Sequence, residues 1–145
     1  MKLEIKYSEL TNVINLLDRL KLRGIQSIHR TRLSRKLTDE LNRVAEEQIA
    51  LQKEYFDEVD ENGLPVVDLK KCKDKDEYIK AMQKFLNETV IIDSEESQTM
   101  LKSVKEALET SDLELSGKDA YTFEYLYTQL EKTDDSSSEE KSEKD

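Results

Sequence analysis

The chain has 145 residues, of which 39% are charged and 36% hydrophobic, with a net charge of -10, three glycines, one proline and one cysteine. That length suits one ordinary domain, and the shortage of Gly and Pro disfavours a turn-rich β fold. A lone cysteine excludes an internal disulfide, no apolar run reaches the roughly 18 residues of a membrane span or reads as a signal peptide, and the acidic field disfavours indiscriminate contact with nucleic acid or anionic membrane.

Leu3-Glu4-Ile5-Lys6-Tyr7 alternates apolar and polar, which predicts a short strand in need of a partner. Ser8 stands where an N-cap belongs, before Leu10, Val13, Ile14, Leu17 and Leu20 at helical steps, and Gly24 is the expected end of that helix. From about Ser27 to Gly63 no Gly or Pro interrupts the chain, and Leu37, Leu41, Val44, Leu51 and Tyr55 recur on one stripe. One long helix is predicted, its stripe open either to a coiled coil or to packing on the chain's own helices. Ser, Thr and Arg dominate Ile25 to Lys36, so this first part reads equally as a loop or separate turn.

Asp60-Glu61-Asn62-Gly63-Leu64-Pro65 is a turn by composition. Val66 and Val67 suggest a further short strand, and Lys70 to Asp76 an exposed linker. A helix carrying Tyr78, Ile79, Met82, Phe85 and Leu86 comes next. Val90-Ile91-Ile92 is the best partner for the opening strand, with Asp93 or Ser94 capping a helix that turns Met100, Leu101, Val104 and Leu108 inward. Ser116-Gly117-Lys118-Asp119 resembles a capping box at the head of a last helix with Ala120, Phe123, Leu126, Tyr127 and Leu130. Thr133 to Asp145 holds four serines, six acids, two lysines and no hydrophobic residue, so a disordered acidic tail is expected. The fold class expected is α+β: one mostly helical domain over residues 1–132 with one long helix and a small two- or three-stranded sheet.

Few residues point to chemistry. The only histidine, His29, lies in a basic run with no acid beside it, which disfavours a catalytic triad. Cys72 sits between Lys71 and Lys73 without a second cysteine, and one Cys with one His cannot build a zinc site. Glu58-x-Asp60-x-Asn62-Gly63 copies the first half of a calcium loop, but the twelfth position is Leu69 instead of Glu, so an exposed acidic turn is favoured. No Gly-rich phosphate loop is present, and an enzyme, cofactor or metal is not expected.

Charge layout is more specific. Lys21 to Lys36 holds six cations and no acid inside an acidic protein. Arg30, Arg32, Arg35 and Lys36 form the candidate partner-binding patch, because guanidinium forks bind carboxylates and phosphates bidentately. The same cations would also suit internal acids, the acidic tail or plain solvation. No aromatic interleaves them, which weakens a single-strand stacking mode.

Leu-Lys-Leu-Arg-Gly before an Arg-rich helix, the Asn-Gly-x-Pro turn, Leu86-Asn87-Glu88-Thr89-Val90-Ile91-Ile92-Asp93 and Leu115-Ser116-Gly117-Lys118-Asp119-Ala120 occur in an order that resembles the family called domain of unknown function 1617. Those are small proteins of phages and prophages of Gram-positive bacteria, and the likeness spans about residues 3 to 131. It implies a phage origin, the cytoplasm of an infected or lysogenic host, and a non-enzymatic accessory role, with no functional residue carried over. The leading expectation is a protein-interaction module that binds a phage or host protein, as an accessory to virion assembly or a modulator of a host factor. The alternatives are local nucleic-acid binding through residues 21–36 and acidic mimicry of nucleic acid that inhibits a host enzyme. Self-association through the long helix is compatible with all three.

Overall fold

A computed structural model describes residues 1–143 along the backbone and the side chains through Lys132. The acidic tail expected over 133–145 lies outside the residues described at the side-chain level. In chain order the elements are β1 (Leu3–Lys6), α1 (Leu10–Arg19), α2 (Gly24–Tyr55), α3 (Lys75–Leu86), β2 (Thr89–Ile92), α4 (Gln98–Glu109) and α5 (Lys118–Glu143). Short 3₁₀ turns occupy Tyr7–Glu9, Leu69–Lys71 and Glu95–Ser97. The chain is α+β, mostly helical, with a single two-stranded sheet among the described residues.

The two strands pair as their alternation predicts. They run antiparallel with Leu3 opposite Ile92 and Ile5 opposite Val90. These four side chains face the core, and the pleat turns Glu4 and Ile91 outward. Burying an aliphatic side chain of this kind contributes about 2 kcal/mol, which is what fixes the register. The third strand expected at Val66 and Val67 does not form. Val59 and Pro65 make an isolated bridge, the Val66 amide donates to the Glu58 carbonyl at 2.8 Å, and Pro65 has no N–H with which to extend a ladder.

α1 buries Leu10, Val13, Ile14, Leu16 and Leu17. Its start differs from expectation: Ser8 lies inside the 3₁₀ turn, and Glu9, with no side-chain cap bond, precedes the helix. Its end differs too. Leu20 turns to extended backbone (φ -67°, ψ 126°) and buries its side chain, so α1 stops before Gly24. Gly24 instead opens α2 at φ 60°, a left-handed conformation that glycine adopts without strain.

At 32 residues α2 is about 48 Å long, and the segment Ile25 to Lys36 is part of it, not a loop. Ser, Thr and Arg do not by themselves favour a helix here, but Leu33 and Leu37 are fully buried and hold this stretch helical. The stripe of Leu37, Leu41 and Val44 packs on the chain's own helices, since α2 lies against both α1 and α4. Beyond it α2 meets α3, where Tyr78 makes an edge contact to Phe56 with ring centroids 4.9 Å apart. α5 closes the core against α1, β1 and α4 with Leu126 and Leu130, and the Tyr125 hydroxyl accepts the Lys6 amide at 3.0 Å.

Two other local expectations change. The stretch 70–76 is not a plain linker: Asp68 caps the Leu69–Lys71 turn, and Asp74 caps α3 by accepting the Glu77 amide at 3.0 Å. The Asp119 carboxylate, expected in a capping box with Ser116, is taken by the Arg19 guanidinium at the end of α1.

Candidate functional site

The basic segment comprises the N-terminal part of α2 and the short approach to it, and its six cations lie in three surroundings. Arg30 is used internally. Its Nη1 donates to the Leu17 carbonyl at 2.9 Å and to the Leu20 carbonyl, satisfying the C-terminal end of α1, where a cation also complements the helix dipole. Arg30, expected in the partner-binding patch, is thus already engaged within the chain. The sequence could not show this, because the carbonyls lie 10 and 13 residues away across a turn of chain. Lys21 and Arg23 line a recess of about 330 Å³ together with Thr110, Ser111 and Asp112 at the C-terminal end of α4, again an end that favours cations.

Arg32, Arg35 and Lys36 lie farther along α2. All three are exposed and have no ion-pair or hydrogen-bond partner among the described residues. With Asp39 they line one side of a recess of about 460 Å³, whose other side is Glu96, Ser97 and Thr99 at the start of α4. A second recess of about 320 Å³ shares Lys36, Asp39 and Ser97 and continues the furrow to Ile91 and Ile92 of β2. The next cation along α2 is paired. Arg43 pairs with Glu40 and Glu47 at 2.7 and 2.9 Å and lies over the Tyr7 ring, and the hydrogen bond to Tyr7 followed by that to Glu40 holds its guanidinium pKa above the usual value.

Sequence reasoning missed the exposed apolar groups on this face of α2 and at the end of the furrow. Ile25 and Ile28 are 64% and 46% exposed, and Ile91 is 49% exposed. The signal was present as spacing: Ile25, Ile28, Arg32, Arg35 and Asp39 recur at steps of three and four, opposite the stripe of Leu33, Leu37 and Val44. His29 also lines the recess, and its Nδ1 is the one buried side-chain polar atom without a hydrogen-bond partner among the described residues.

The other candidates resolve as structure. The Asp60 carboxylate accepts the amides of Asn62 and Leu64 at 2.8 and 3.0 Å, so it organises its own turn, and no group of three or more His, Cys, Asp or Glu suited to a metal occurs among the described residues. Both lysines beside Cys72 are engaged with carboxylates, Lys71 with Glu58 at 3.1 Å and Lys73 with Asp57 at 2.8 Å. Among the described residues no helix is long and apolar enough to cross a membrane. No family model, no curated protein and no solved structure matches this chain.

Proposed function

We propose that the protein is a non-enzymatic interaction module that recognises a protein partner through the outward face of the N-terminal half of α2, with Arg32, Arg35 and Lys36 as its charged contacts. The observation that carries this reading is the placement of three exposed, partnerless cations along one furrow that continues to Ile91, with Ile25 and Ile28 exposed on the preceding turns of the same helix. Cations carried on a rigid helix are already positioned when a carboxylate arrives, and aliphatic neighbours supply the buried area that a stable contact needs. Phosphate recognition is served less well, because Asp39 and Glu96 line the same recess and the molecule carries -10 overall.

The family resemblance extends the reading to a phage-encoded accessory protein acting in the cytoplasm of its bacterial host, on a virion or host protein. A photo-crosslinking amino acid placed at position 32 or 35 in host cells tests it, with position 80 on α3 as control. The expected result is a discrete protein adduct at 32 and 35 and none at 80. Adducts to DNA or RNA, or equal labelling from all three positions, would refute a protein-specific surface.

A further inference from the structure

Resting on the reading of Arg32, Arg35 and Lys36 as a partner contact, we propose that the outward stripe of α2, together with the furrow beside it, takes an acidic amphipathic helix, held by aliphatic anchors at its two ends and by carboxylates in its middle. The outward stripe sets the length. Ile25 to Asp39 spans fourteen steps of 1.5 Å, or about 21 Å, which matches a partner helix of about four turns. Chemistry is ordered along that length: Ile25 and Ile28 come first, exposed on the stripe ahead of the furrow, Arg32, Arg35 and Lys36 occupy the middle, and Ile91 lies at the far end of the continued furrow.

That order selects the occupant. A helix lying along a groove presents one face at steps of three and four, the same spacing as the stripe it would meet, so apolar and acidic side chains fall in register with the isoleucines and the cations. An extended peptide advances about 3.3 Å per residue and turns alternate side chains away, which halves its contacts with a helical stripe. A nucleic-acid backbone offers no aliphatic groups to Ile25, Ile28 and Ile91 and is repelled by Asp39 and Glu96, whereas a peptide can place an amide or lysine opposite those two acids. A second copy of the chain brings another net -10 and would have to overcome that repulsion.

The test is an mRNA-display selection of random helical peptides of about four turns on the full chain, followed by fluorescence anisotropy of the enriched peptides. Binding is measured against wild type, the Arg32→Glu/Arg35→Glu variant and the Ile25→Ala/Ile28→Ala variant, whose substituted side chains are exposed and whose folding circular dichroism verifies. Enriched peptides carrying acids at helical spacing between aliphatic ends, and binding weakened about tenfold or more by each variant, are expected. Enrichment of acidic peptides indifferent to Ile25→Ala/Ile28→Ala would overturn the anchored helix while leaving the cationic contact standing. Peptides indifferent to Arg32→Glu/Arg35→Glu would sink both. Failure to enrich any peptide, displacement by duplex DNA or anionic vesicles at equal charge, or concentration-dependent dimers in light scattering that occlude the site would each overturn the proposal, the crosslinking experiment then judging the underlying reading separately.

Discussion

Replacing Arg30 by Ala separates a structural cation from the three exposed, unpaired ones that line the furrow. The guanidinium donates to two carbonyls at the end of α1, at half-buried positions. A hydrogen bond from a charged donor contributes about 1.5–3 kcal/mol, and a cation at a helix C-terminus about 0.3–1 kcal/mol. The Leu17 carbonyl keeps the Leu20 amide at 3.2 Å, and water reaches part of the vacated space, so the loss should fall near the lower end, about 2 kcal/mol. For a chain of this size that is a drop in Tm of roughly 4–8 °C. Urea unfolding followed by far-UV circular dichroism measures it, with Arg30→Lys expected in between, because one nitrogen, Nη1, makes both bonds and an ammonium has the donors to replace it but sits on a shorter, more strongly hydrated side chain. Partner binding by Arg30→Ala should stay within about twofold of wild type. Stability within about 0.5 kcal/mol of wild type, or a loss of binding as deep as that of Arg32→Glu/Arg35→Glu, would refute the division of the basic segment.

Leu37→Ala should destabilise by about 3 kcal/mol, since Leu37 is fully buried between α2 and its neighbours, and a chemical-denaturation midpoint near wild type would contradict the packing. Asp60→Ala removes the acceptor of two turn amides and should cost about 1 kcal/mol, while millimolar calcium should leave the wild-type Tm unchanged; a calcium-dependent rise would restore the metal reading. Burial raises the phenol pKa of Tyr125, and burial followed by Glu77 and Glu109 respectively does the same for Tyr55 and Tyr127. Because these groups hold their protons more tightly folded than unfolded, their contribution is complete below the ordinary phenol range and is lost as pH rises through it, so stability should decline above about pH 10. Flat stability there, with tyrosine ultraviolet titration at the free-phenol midpoint, would contradict it.

Much of the fold was legible because it is local. The alternation of Leu3, Ile5, Val90 and Ile92, and the helical steps of Leu10 to Leu17 and Met100 to Leu108, name a buried face from spacing alone. Places where the reading failed share a cause. Ser8, Gly24 and Asp119 carry residue types that suit helix ends, but the chain's path was fixed by the burial of Leu20 and by the pairing of Arg19 with Asp119, 100 residues apart. The segment 25–36 looked like a loop by propensity and is helix because Leu33 and Leu37 reach the core.

The sequence by itself determined which side chains face inward, that α2 would be long, and that a cationic stretch would stand out of an acidic chain. Only the tertiary structure decided the fate of each cation. Periodicity reports which way a side chain points from its own helix, whereas a charge is satisfied or left free by atoms within about 3 Å, and other elements bring those atoms there. Thus the end of α1 consumes Arg30, Lys21 and Arg23 border a recess at the end of α4, and the start of α4 with β2 makes a furrow beside Arg32, Arg35 and Lys36.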